Sequence, residues 1–227
     1  MAMETQVLAA KFQVGGGYFR GITVSKPVKS AKELQSRDVV YQKLDYSCGA
    51  AALATLLKTQ VNLQKSETEI IEFVLKTGDP VKIVERQGFS LLDLKRFVDH
   101  QGYLADGYRL NLDELAAFEI PVIVPISVHD YRHFVVVRGF HKGHVFLSDP
   151  AKGRLSLPVH QFERYWMAAS DTSRNLGIAL VISAPLQPKE KQSPVIPPTD
   201  HLFLEGQNMR HTVKERTMRV TPVRGEF

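Results

Sequence analysis

Residues 41–57 read YQKLDYSCGAAALATLL and hold the one cysteine of a 227-residue chain, Cys48, directly before an alanine- and leucine-rich run. That run, residues 48–58, predicts a buried helix. Cys48 falls at its first turn, where unpaired backbone N–H groups and the helix dipole stabilise negative charge and favour a thiolate. A single cysteine allows neither an intramolecular disulfide nor a cysteine-based zinc cluster. The choice is therefore between a small buried apolar residue and a nucleophile, and its neighbours must decide. Gly49, lacking a side chain, is expected to let a substrate backbone approach closely.

Outward from this segment, Ser66 and Glu69 have capping-box spacing ahead of the apolar face Ile70, Phe73 and Val74. Ser90 and Asp93 open a third helix with Leu91, Leu94, Phe97 and Val98 inward, ended by Gly102. NLDELAAF (111–118) reads as a short helix and VHQFERYW (159–166) as an amphipathic one. The runs PVIVPIS (121–127), HFVVVRGF (133–140), HVFLSDP (144–150), GRLSL (153–157) and GIALVIS (177–183) read as strands. A helical first half followed by an antiparallel sheet predicts an α+β domain over residues 36–184. Residues 1–35 are expected to form an irregular arm with one strand, YFRGITV (18–24). Residues 185–227, rich in Pro, Lys, Glu, Gln and Thr, are expected to be a disordered tail.

A nucleophilic thiolate needs a base on a rigid element. His133 opens its strand, which predicts an imidazole at the edge of the sheet. Asp149 ends the next strand 16 residues later, where a hairpin through HKGH (141–144) brings it alongside to orient the ring and favour its charged form. Gln42, six residues before Cys48, offers an amide donor to an oxyanion, with the Cys48 N–H as the second donor. Arg132, beside His133, reads as a solvated charge, and His129, Asp130 and Tyr131 as parts of the site's rim.

The remaining signals are exclusions. The net charge of +5 comes from scattered basic residues without an aromatic-interleaved run, so no nucleic-acid partner is expected. No apolar run reaches the ~18 residues of a membrane span, and the N-terminus lacks a signal-peptide pattern. No cofactor and no metal are expected, because His129 and His133 sit in a strand context and His141 and His144 in a turn without further ligands.

The segments QKLDYSCGAAALATLL (42–57), HFVVV (133–137) and SDPAKG (148–153) resemble the C39 family of papain-like cysteine peptidases, the double-glycine leader peptidases. The resemblance implies a papain-like fold, a helical half packed on an antiparallel sheet. It implies Cys48 as nucleophile, His133 as base, Asp149 as orienting residue and Gln42 as oxyanion donor. It further implies a peptide or protein substrate cut after Gly-Gly in a leader or linker of a secreted protein. Ser47 departs from the acidic residue often found before the family's cysteine. The stand-alone branch associated with bacterial functional-amyloid (Fap) export is most similar, which implies a periplasmic location, with the cytoplasm as the alternative, and an export or amyloid-biogenesis partner. A degenerate Gly-Gly-binding domain and another Cys–His–Asp acyl-transfer enzyme, an amidase or transpeptidase, stay open as alternatives. Residues 15–17 are themselves Gly-Gly-Gly and offer a site for self-cleavage.

Overall fold

The computed structural model describes residues 30–129, 131–170 and 176–183. The expected strand at 18–24, the Gly-Gly-Gly run, Asp130 and the proline-rich tail lie outside the described residues. Within them the chain runs α1 (Ala31–Ser36), α2 (Cys48–Gln60), α3 (Glu67–Thr77), α4 (Pro80–Arg86), α5 (Leu91–His100), β1 (Leu104–Leu110), α6 (Leu112–Ala116), β2 (Val122–Val128), β3 (Tyr131–His141), β4 (His144–Asp149), β5 (Gly153–Pro158), α7 (Val159–Ala168) and β6 (Gly177–Ser183).

Every residue of α2 from Cys48 to Leu57 is buried, as befits a helix apolar on all sides. Its alanines let it lie close against the sheet. Both expected capping boxes form, Ser66 with Glu69 and Ser90 with Asp93. They start α3 and α5 so that Ile70, Val74, Leu94, Phe97 and Val98 turn onto α2. The strands form one antiparallel sheet in the order β1-β6-β2-β3-β4-β5. Ile123, Val136, Leu180 and Ile182 of the sheet face the α2, α3 and α5 layer. Their strand neighbours Val122, Val124, Val135, Val137 and Val181 face the other way, onto Phe162 and Trp166 of α7. This is the period-2 alternation of a sheet covered on both faces, and it gives the α+β, papain-like architecture.

Three features depart from the sequence reading. Residues 31–36 of the supposed irregular arm are helical, closed by a Ser30–Glu33 capping box; with no buried residue they carry no apolar signal. Helix α4 starts with Pro80 at its first turn and the Asp79 carboxylate accepting from the Val81 and Lys82 amides, and it has no fully buried residue, only Ile83 packing half-buried against the core. The first half is not purely helical, because β1 lies within it on the sheet edge.

The turn between β4 and β5 anchors the segment leading to Cys48. Gln35 donates to the Lys152 carbonyl (2.8 Å), Arg154 to the Arg37 carbonyl and the Asp38 carboxylate (2.8 Å each), and the Gln42 N–H to the Pro150 carbonyl (3.0 Å). Gly153, at φ +83°, makes the close approach possible. A β-carbon there would strike the Tyr41 hydroxyl and sit 2.6 Å from the Gln35 carbonyl oxygen. Gly153→Ala is therefore expected to cost about 1–3 kcal/mol of stability, by overpacking added to a left-handed backbone. A thermal melt at the wild-type midpoint would contradict this.

Candidate active site

Cys48 is the first residue of α2 and is buried, 7% exposed. Its helix starts with its donors unspent. Ser47 occupies the N-cap but makes no side-chain cap, and the N–H groups of Cys48, Gly49 and Ala50 find no acceptor among the described residues. Three backbone donors are thus concentrated beside the sulfur, where they favour negative charge.

β3 and β4 supply the second half. His133 Nε2 lies 2.8 Å from Asp149 Oδ1, and both residues are buried. Asp149 is held in turn, Oδ1 accepting from the Ala151 N–H (2.7 Å) and the Lys152 N–H (3.2 Å) in the turn that follows β4. His133 is not at an exposed sheet edge as expected: β3 runs between β2 and β4, with His133 opposite Ile126. The other ring nitrogen, Nδ1, is buried without a hydrogen-bond partner of ordinary geometry and is the one left for Cys48.

Burial works against a charged imidazole here, but the Asp149 hydrogen bond and the adjacent Cys48 outweigh it, and His133 is pushed up from 6.5 to about 9. Burial also works against the Asp149 carboxylate, yet the hydrogen bond and charge of His133, with the two turn amides, hold it below its usual 3.8. The signs follow from linkage. The raised imidazole stabilises the fold fully below 6.5 and loses that contribution as pH rises through about 9. The depressed carboxylate stabilises it above 3.8 and loses that contribution as pH falls. Between these limits the pair is imidazolium and carboxylate, with Nε2–H donating to Asp149 and Nδ1–H free to serve the sulfur.

Gln42 lies on the loop into Cys48, its backbone fixed by Pro150. One proton of its Nε2 goes to the Leu44 carbonyl (3.1 Å) and its Oε1 is buried without a partner. The second Nε2 proton remains available as a donor. Cys48 and His133 also line a cavity of about 140 Å³, walled by Phe89, Leu91, Pro125, Phe134 and Ile178. Arg86 and Arg132 stand at this groove. Arg132 is not merely solvated, since its Nη2 donates to the Ala169 carbonyl (2.9 Å). At Gly49 a β-carbon would lie 3.2 Å from the Phe134 ring and 3.6 Å from Leu94, so its smallness admits core side chains. Tyr131 does belong to the rim, its ring stacked at 5.9 Å on His133 and its hydroxyl donating to the Asp45 carbonyl (3.2 Å).

Among the described residues no group of three or more His, Cys, Asp or Glu side chains could hold a metal ion. His141 and His144 face each other across the β3–β4 turn. One polar residue beside the site escaped the sequence reading. Glu67 is buried, 2% exposed, against the loop before Cys48, although in sequence it looks like any acidic residue of a first helical turn.

Residues 36–170 match the model of the peptidase C39 family. A protein of Pseudomonas aeruginosa named probable functional amyloid protease FapD is 40% identical over 152 residues, 67% of this chain and 65% of that protein. Its namesake in Pseudomonas fluorescens is 38% identical over 146 residues, 64% of each chain. The chain thus spans just under two thirds of the length of these relatives. Among solved structures, a double glycine motif protease from an AMS/PCAT transporter, in complex with the leader peptide, superposes with a TM-score of 0.51 at 26% identity, covering 64% of this chain and 90% of the other.

Proposed function

Since the chain belongs to the peptidase C39 family, we propose that it is a cysteine endopeptidase hydrolysing the bond after a Gly-Gly pair in the leader or linker of an exported protein. The observation that carries this reading is the buried His133–Asp149 pair, 2.8 Å apart, with its free Nδ1 turned to the cysteine at the uncapped start of α2. Three charged or polarisable groups are in the order an acyl transfer needs.

In the proposed reaction the Cys48 thiolate attacks the carbonyl carbon of the second glycine. The Cys48 N–H and Gln42 Nε2 donate to the oxyanion as it forms. His133 Nδ1–H gives its proton to the leaving amine, the C–N bond breaks and a thioester remains. Water then attacks the thioester, its proton passing to His133 Nδ1. The thiolate leaves, the acid product departs and the thiolate–imidazolium pair is restored. Asp149 keeps the ring in place through both proton transfers.

The relatives named as functional amyloid proteases support a substrate from functional-amyloid export, and with it a periplasmic site of action. The testing experiment is mass spectrometry of a peptide carrying one Gly-Gly pair, incubated with the purified chain with and without an added amine. Cleavage directly after Gly-Gly, with free acid as product in both cases, is expected. An amide of the added amine as main product would replace hydrolase by transpeptidase, and an intact peptide would overturn the reading.

A further inference from the structure

Glu67 opens α3, yet its carboxylate turns away from that helix and is buried against the loop in front of α2. Oε1 accepts from the Lys43 N–H (2.9 Å) and from the Ser47 hydroxyl. Lys43 follows Gln42 and Ser47 precedes Cys48. One carboxylate oxygen therefore ties both ends of the segment separating the two donors assigned to the oxyanion. The Leu44 N–H donates to Ser47 Oγ (3.2 Å), and the hydroxyl has both Glu67 Oε1 and the Leu44 carbonyl (2.8 Å) as acceptors for its single proton.

This engagement changes what the helix start can do. A serine at an N-cap ordinarily turns its oxygen onto the second or third N–H of the helix. Here the Ser47 hydroxyl is engaged by Leu44 and Glu67 instead, and the first N–H groups of α2 stay uncapped. A buried carboxylate is costly unless hydrogen-bonded, and Glu67 Oε2 has no partner. Helix α3 needs no such residue at this place, because Ser66 and Glu69 already cap it.

Resting on the peptidase reading above, we infer that Glu67 is a positioning residue: by tying Lys43 to Ser47 it holds the Gln42–Cys48 loop in the geometry of the oxyanion site. It touches no substrate. Its effect passes through Lys43 and Ser47 alone, and the acceptor oxygen matters rather than the charge.

The test compares Glu67→Ala, Glu67→Gln and Ser47→Ala with the wild type. Glu67→Ala is expected to lower kcat on a Gly-Gly peptide at least tenfold with KM within about twofold, the pattern of a lost transition-state interaction. Alkylation of Cys48 by iodoacetamide needs no oxyanion site and is expected to stay within about threefold. Glu67→Gln keeps the acceptor oxygen and is expected to restore most of kcat. Ser47→Ala is expected to fall with Glu67→Ala, and the double variant to be no worse than either. A merely structural role would lower hydrolysis and alkylation together with the melting temperature, and would overturn the inference. So would wild-type kcat in Glu67→Ala, or a Glu67→Gln variant as impaired as Glu67→Ala. Amide hydrogen exchange over residues 42–50 decides the matter even if the wild type cleaves no peptide, an outcome that sinks the peptidase reading alone. Faster exchange in Glu67→Ala but not in Glu67→Gln supports the tie, and unchanged exchange in both removes it.

Discussion

Cys48→Ala is expected to abolish cleavage of a Gly-Gly peptide, with a loss on the order of a million-fold in kcat, the scale seen when a triad nucleophile is removed. The size reflects a change of mechanism, since without the sulfur no thioester forms and only water remains to attack. The substitution leaves the fold alone: Cys48 stands at the start of α2, is followed by Gly49 and three buried alanines and makes no disulfide. Binding is expected to survive, so the variant would retain a Gly-Gly peptide that the wild type consumes. Single-turnover mass spectrometry with equal protein and peptide is the measurement. Turnover by the variant within a hundredfold of the wild type would remove Cys48 from the mechanism.

The second large effect is expected at His133. His133→Ala removes the proton carrier of both half-reactions and the counter-charge of the thiolate, and a loss of about 10⁴-fold or more follows. Its pH signature is more informative than its size. The proposed resting state holds an imidazolium, so wild-type hydrolysis should fall as pH rises through about 9, the value to which Asp149 and Cys48 push the ring. Asp149→Asn retains an oxygen to accept from Nε2 but not the negative charge. The fall-off is then expected at lower pH, because a source of the upward shift has gone. The thermal stability of the wild type should decline over the same alkaline interval, from 6.5 to about 9, by the linkage set out above. A fall-off unmoved in Asp149→Asn would mean that Asp149 does not tune the ring.

Legibility in the sequence followed burial and locality. The place of Cys48 at a helix start and the pairing of His133 with Asp149 could be read because each residue stands next to a strong element signal: the apolar run of α2, the valines of β3, the hairpin into β4. The Ser66–Glu69 and Ser90–Asp93 boxes could be read because a capping box is complete within four residues. β1 could not, since LADGYRL interrupts its apolar alternation with Asp106, Gly107 and Arg109, as an edge strand can afford to do. Helix α1 has no buried residue and α4 turns only Ile83, half-buried, onto the core, so neither has a stripe to detect. Glu67 and Ser47 are 20 residues apart, and no local pattern relates them. The packing at Gly49 was hidden for a similar reason, because the Phe134 ring beside it comes from β3.

The sheet order also sets a timetable for synthesis. β6, the last of the described strands to be made, lies between β1 and β2, and its Ile178 forms part of the groove wall. Until residues 177–183 have left the ribosome, β1 has no strand partner and only the helical layer links it to the hairpins of β2 to β5. Helix α2 then has an incomplete floor to settle on. The sheet is therefore completed only with its closing strand, after almost the whole described domain has been translated.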